Sequence, residues 1–293
     1  MKNIFLFLFL FCFIVSINAE EITFPQNATK INSEDEEIKS LVWNRYVNKN
    51  FTILSIDEAQ GYWLYKNIDQ INDWIVSRWG FPKVDFAKEC RVFCVPNKSL
   101  LKKLFGIDSS KVEVRRKDGD IEISVLWLVL EEKKPSQVAP YLARASFAEF
   151  EHQGLIVPWW FIRSAEILSS SGNEIKTILN GVTSFDNKKL NCEAVFNTKL
   201  EEYQKLSDED KKLFDQKCLV LCLMLRKELG EVKLQGLLTL ENKNKIEKVL
   251  NFVYGYSSIQ EFEKKFSLFC NDLSRAVVKK EIPDSYLQIN RRK

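Results

Sequence analysis

Histidine is almost absent from this chain of 293 residues: there is one, His152. No site that needs two imidazoles from this chain can form. That excludes a His-x-x-x-His zinc hydrolase of the usual kind and every multi-histidine iron or copper centre. Net charge is nearly absent as well. Lys+Arg 43 against Asp+Glu 40 leaves +3, which supplies no electrostatic reason to expect nucleic acid as a partner. Beyond the N-terminus no apolar run approaches the ~20 residues that span a bilayer. The best candidate, Cys218 to Leu225, is far shorter. Internal repeats and low-complexity linkers are missing, and no Gly-x-Ser-x-Gly elbow presents a nucleophilic serine.

What is present describes a globular protein. The chain is 45% hydrophobic, 28% charged and 12% aromatic, enough for one large core or two small ones. Lys2, the apolar run Ile4 to Ile17 and the small residue Ala19 together read as a secretory signal peptide over residues 1–19. The expectation is export, to a periplasm or to the outside, with no stable membrane span after cleavage. Retention of the run as an anchor is the alternative. Six cysteines follow it: Cys90, Cys94, Cys192, Cys218, Cys222 and Cys270. An even count in an exported chain permits disulfides, but spacing does not choose the pairing. Cys90 and Cys94 lie on one expected strand, too far apart to bridge each other. Cys218 and Cys222 read as small buried hydrophobes. Sequons stand at Asn27, Asn50 and Asn97, and matter only in a host that glycosylates exported proteins.

Residues 20–39 are acidic and polar and read as a loose leader. Residues 40–135 then read as an α/β subdomain. Asn50 to Ser55 is a strand by alternation. Asp57 caps a helix whose apolar face carries Trp63, Leu64, Ile68, Ile71, Trp74 and Ile75. Cys90 to Val95 is a second strand, and Lys98 to Phe105 a short helix ended by Gly106. Val112 to Arg116 and Ile121 to Leu130 flank a turn signal and read as a hairpin. Residues 136–272 read as helical, with helices at 136–153, 159–168, 174–179, 211–228 and 259–273 among others. Residues 273–293 read as a tail. The fold class is α+β: an N-terminal α/β part with a small mixed sheet, then an all-helical part.

Three segments, in this order, resemble the peptidase-MA-like gluzincins, thermolysin-like zinc metallopeptidases. The first is Asn50 to Ser55 with its helix and Cys90 to Val95. The second is Leu142 to Ala148 followed by Val157-Pro-Trp-Trp-Phe-Ile-Arg-Ser-Ala-Glu166. The third is Cys218 to Gly230 through Tyr254-Gly-Tyr-Ser-Ser-Ile-Gln-Glu-Phe262. The resemblance covers roughly residues 40 to 272 and implies a zincin-like architecture. In that family His-Glu-x-x-His places two ligands one helical turn apart with a general base between them, and a Glu on the next helix is the third ligand.

Here the pattern has decayed, and two registers remain open. In one, Arg144, Ala145 and Ala148 stand at the motif positions, with neither ligand nor base. In the other, Glu149 and His152 survive as base and second ligand. The first leaves the longer gap to Pro158, which suits the family better. Trp160 matches the family tryptophan in both. Arg163 stands where the third ligand would be, and Ser164 replaces a Gly. A cation at a ligand position opposes a metal. Neither register assembles a zinc site, so no metal or other cofactor is expected, and no catalytic residue.

The resemblance therefore implies a pseudopeptidase whose former active-site cleft holds a peptide or protein segment, or serves as scaffold. Arg144, Glu149 and Arg163 are candidates for an ion-pair network in place of the metal. Other readings stand beside it. A weak metal site could use His152 with Glu149 and Glu166, which would make the chain an atypical hydrolase. A purely structural envelope protein is another. Ser146, Ser169, Ser170 or a cysteine could act as nucleophile only with His152 as base. The plainer readings make His152 a cap or surface residue, Trp159 to Phe161 core, and Glu149 and Glu151 solvated helix faces.

Overall fold

A computed structural model describes residues 41–117, 120–152, 157–184, 191–241 and 246–279. The expected signal peptide and leader, and the chain from residue 280 onward, lie outside the described residues. The fold is mixed α+β, with a five-stranded sheet followed by a mostly helical part.

The sheet runs β1 (Asn44–Val47), β2 (Phe51–Ser55), β3 (Cys90–Val95), β5 (Asp120–Val129), β4 (Lys111–Lys117) in spatial order. β2, β3 and β5 are parallel neighbours, and β1 and β4 pair antiparallel at the two edges. The parallel centre is buried on both faces, so all five residues of Phe51–Ser55 are buried, the polar Thr52 and Ser55 included. Alternation still sorts the side chains. Phe51, Ile53, Val92, Cys94, Leu126 and Leu128 meet the main core. Leu54, Phe93, Val95, Val125, Trp127 and Val129 meet a smaller one on the opposite face.

Helix α1 (Glu58–Ser77) crosses from β2 to β3 over the main core. Asp57 caps it by accepting from Gln60 N at 2.8 Å. Helix α2 (Lys98–Phe105) covers the opposite face with Leu101, Leu104 and Phe105, and Gly106 ends it in the left-handed conformation at φ 68°. Both boundaries are as the sequence implies. Strand β1 was not among its expectations. Four residues with two polar side chains carry almost no strand signal, and pairing with β2 makes the strand.

A 3-10 turn (Pro135–Gln137) leads into α3 (Ala139–His152), then α4 (Trp159–Ser169), α5 (Gly172–Asn180), α6 (Cys192–Asn197), α7 (Leu200–Lys205), α8 (Asp208–Glu241), α9 (Ile246–Tyr254) and α10 (Ile259–Val278). Phe147 of α3 and Phe161 of α4 meet edge to face at 5.3 Å, and Phe81 packs on Phe150 at 4.9 Å. These rings join α3, α4 and the loop after α1 into one core. The centre of α8, Cys218 to Leu225, is wholly buried, and Gly230 breaks its helical path at φ 74°. The last helix passes residue 273, where the sequence reading ended it. Leu273 and Val277 continue its buried stripe to Val278. Among the described residues, no helix is long and apolar enough to cross a membrane.

Gly61 shows how closely α1 lies on the sheet. A Cβ there would stand 2.7 Å from Ser55 Cβ and 2.7 Å from the Tyr46 ring. Alanine normally gains a helix about 1 kcal/mol over glycine. Here Gly61→Ala is expected to lower stability by about 1–2 kcal/mol, because overpacking outweighs propensity. Urea unfolding measures it, and a gain in stability would show the helix to lie further off.

Candidate functional site

Helices α3 and α4 carry every position of the decayed motif, from Arg144 to Glu166. Ala145 and Ala148 are buried, so α3 presents small side chains to its neighbours. Pro158 starts α4, and its fixed φ near −67° suits the position just before the helix. Trp160 is fully buried, edge-on to Phe161 at 5.9 Å and to Phe196 at 5.3 Å. The expectation that Trp159 to Phe161 pack as core therefore holds. Ser164 lies 2.7 Å from Trp160 O and 2.8 Å from Cys218 O, tying α4 to α8.

Arg163 is the centre of a charged cluster. Its Nε and Nη2 donate to Asp215 Oδ1 and Oδ2, both at 2.7 Å, in a bidentate pair. Its Nη1 donates to Glu166 Oε2 at 2.5 Å. Tyr203 adds a hydrogen bond to Asp215 Oδ1 at 3.1 Å. Arg144 reaches the other side of Glu166, with Nε 3.9 Å from Oε1. Its guanidinium lies over Trp159, 5.1 Å from the ring centroid, and Trp159 packs on Tyr203 at 5.4 Å. Two cations and two anions balance within one partly buried cluster. Burial opposes the charge on Arg163, but its hydrogen bonds to Asp215 and the charge of Glu166 hold its pKa well above the ordinary value. Burial raises the Glu166 carboxyl against the pull of Arg163 and Arg144.

The expected network is therefore real in part and different in membership. Arg144 and Arg163 meet, but Glu166 joins them, not Glu149. Glu149 is also not a solvated face. It is fully buried, and its Oε2 accepts from Ala87 N at 3.0 Å. The neighbouring carbonyl of Ala148 accepts from Arg116 Nη2 at 3.3 Å. The backbone of His152 closes α3, but its side chain and that of Glu151 lie outside the described residues. Asp215 and Tyr203 were missed. Asp215 offered one signal, a carboxylate set beside Phe214 and Cys218 on a helix that is otherwise apolar at its centre.

Among the described residues, no group of three His, Cys, Asp or Glu side chains is placed to hold a metal. Glu149 and Glu166, two of the three groups of the weak-metal reading, are engaged with different partners. Ser146 bonds to Asn72 and to Leu142 O at 2.7 Å, a structural role inside the core. All six described cysteines are buried free thiols. Burial raises Cys94, Cys222 and Cys270 to about 12, and raises Cys90 too, with Glu149 adding to the effect. Thiols so protonated are poor nucleophiles. A cavity of about 450 Å³ lies between α1 and the start of α3 and is lined by Asn67, Ile71, Trp74, Pro135 and Ala139 among others. Its lining includes neither Arg144 nor Arg163. A smaller one, about 230 Å³, opens beside Asp215, Lys211 and Gln216.

No protein-family model matches the chain, and no curated protein matches it.

Two outcomes test this geometry. Arg163→Met leaves buried Glu166 with Arg144 alone and partly buried Asp215 without its bidentate cation, and is expected to cost about 3 kcal/mol. Adding Asp215→Leu should recover part of that loss. Chemical unfolding of both variants measures it, and a neutral Arg163→Met would dissolve the cluster's structural role. A thiol reagent should label the native chain roughly tenfold or more slowly than the unfolded chain. A rapidly labelled native cysteine would contradict the burial.

Proposed function

We propose that this chain is an exported, catalytically inactive relative of the peptidase-MA-like gluzincins, and that it binds a peptide or protein segment. The observation that carries the reading is the cluster of Arg163, Glu166, Asp215 and Arg144. Two of its members, Arg144 and Arg163, stand at positions where the resemblance would put zinc ligands. Arg163, at the third-ligand position, spends its N–H groups on two carboxylates. Its charge opposes a divalent cation at that place. Ala145 and Ala148 supply neither base nor ligand. Hydrolysis through a metal-bound water needs an open metal position, and these side chains supply none.

Arg144 supports binding. Among the described residues its two Nη groups donate no hydrogen bond, while Trp159 and Glu166 hold the guanidinium in place. A held fork of this kind suits a carboxylate. A scaffold role is the second reading. It is favoured by the mutual satisfaction of Arg163, Glu166 and Asp215, which leaves the centre of the site closed.

Metal content tests the first part. Mature chain dialysed against zinc is expected to retain far less than one zinc per chain by elemental mass spectrometry. About one equivalent, lost in His152→Ala, would overturn the reading and revive the Glu149/His152 register. Panning a peptide library on the mature chain tests the second part. Captured peptides should bear carboxylates and should lose affinity for Arg144→Ala by roughly tenfold or more. Peptides captured equally well by the variant would remove Arg144 from the site, and no capture would leave the scaffold reading.

A further inference from the structure

The fold treats its two described sequons in opposite ways. Asn50-Phe51-Thr52 opens β2. Asn50 is 4% exposed, and its Oδ1 accepts from Phe86 N at 3.3 Å. Phe51 is wholly buried beside it, and Thr52 is buried in the sheet with its hydroxyl. Asn97-Lys98-Ser99 stands at the other end of the same layer, between β3 and α2. All three residues are exposed. Leu101, Leu104 and Phe105 turn inward on α2, so the first turn of that helix faces out.

Asn97 already has a structural task, and that task leaves the reactive atom available. It is the N-cap of α2, and its Oδ1 accepts from Leu100 N at 2.9 Å. The cap uses the oxygen. An N-linked glycan uses the nitrogen.

We propose that Asn97 is an acceptor for an N-linked glycan, and that the folded chain is closed to the same modification at Asn50. The proposal rests on the export reading. The reaction forms a bond from Asn97 Nδ2 to the anomeric carbon of a lipid-pyrophosphate-linked oligosaccharide. The bond from that carbon to the pyrophosphate oxygen breaks, the lipid pyrophosphate leaves with the electron pair, and Nδ2 gives up one proton. Oδ1 keeps its bond to Leu100 N throughout. A glycan at Asn50 would have to occupy space filled by Phe51, Phe86 and the sheet, so a chain modified there before folding cannot reach this structure. α2 covers the sheet face opposite α1 and α3. A glycan on Asn97 therefore stands on the far side of the sheet from Arg144 and Arg163.

The test is expression of the full chain, with its own N-terminus, in a secretory cell line that adds N-linked glycans. Chain recovered from the medium is checked for folding by protease resistance. It is then treated with an amidase that releases N-glycans in heavy-oxygen water, and the peptides are weighed. The expected result is heavy-oxygen aspartate at position 97 and unmodified asparagine at position 50. Ser99→Ala and Asn97→Asp should each remove one glycan's gel shift while keeping the cap, because the first leaves Asn97 in place and aspartate caps as well as asparagine. A bare Asn97 on folded, secreted chain overturns the proposal, most directly if Asn27 on that chain carries a glycan. A glycan on Asn50 of folded chain overturns its second half. Absence of the chain from both lumen and medium instead counts against the export reading. A chain with residues 1–19 replaced by a proven signal then decides Asn97 by itself.

Discussion

Helix α3 is buried without interruption from Ala145 to Phe150, and the rest of the molecule is arranged around that constraint. A helix covered on every side must present residues that suit each neighbour. Ala143, Ala145 and Ala148 allow close approach, and Phe147 and Phe150 fill the space toward Phe81 and Phe161. The polar groups it carries inward must find partners, because an unmatched buried donor or acceptor costs about 1–3 kcal/mol. Ser146 finds Asn72, and Glu149 finds the backbone of Ala87. Arg144 is the one cation on the helix, and it sits where α3 comes nearer to solvent.

The charged cluster follows from the same packing. α4 lies between α3 and α8, so a long cation on α4 can reach carboxylates on its own helix and on α8. Removing such groups from water is costly, and mutual attraction offsets that cost only when the hydrogen bonds are complete. Arg163 meets that condition through three N–H donors to two carboxylates. The cluster thereby specifies how α4 and α8 sit against each other. It also engages Glu166, one of the two carboxylates of the weak-metal reading. The proposed loss of catalytic chemistry and the stability of the helical half thus have one physical origin.

Much of the fold was legible before any coordinates. Period-two and period-3.6 patterns located β2, β3, the β4–β5 hairpin and most long helices, since each repeats one choice of side over many residues. Single residues with fixed chemistry marked some ends: Asp57 as a cap and Gly106 as a break. What stayed illegible was short or long-range. β1 has four residues, and α6 and α7 have six each, too few to show a period. Glu149 read as a surface residue because charge predicts exposure, yet its partner is Ala87, 62 positions away. The partnership of Arg163 with Asp215 spans 52 positions and left no local trace.

By itself the sequence determined what kinds of site are impossible. One histidine forbids a multi-histidine centre whatever the fold, because a ligand that does not exist cannot be supplied by geometry. It also determined the sequons, the cysteine count and the alternation that builds the sheet. Only the tertiary structure decided which of those features are usable. Burial, not composition, keeps the six described cysteines protonated, and closes Asn50 while leaving Asn97 open; pairing across the fold brings Asp215 to Arg163. Burial and pairing are set by residues distant in sequence, and a chain read one residue at a time cannot show which of them will meet.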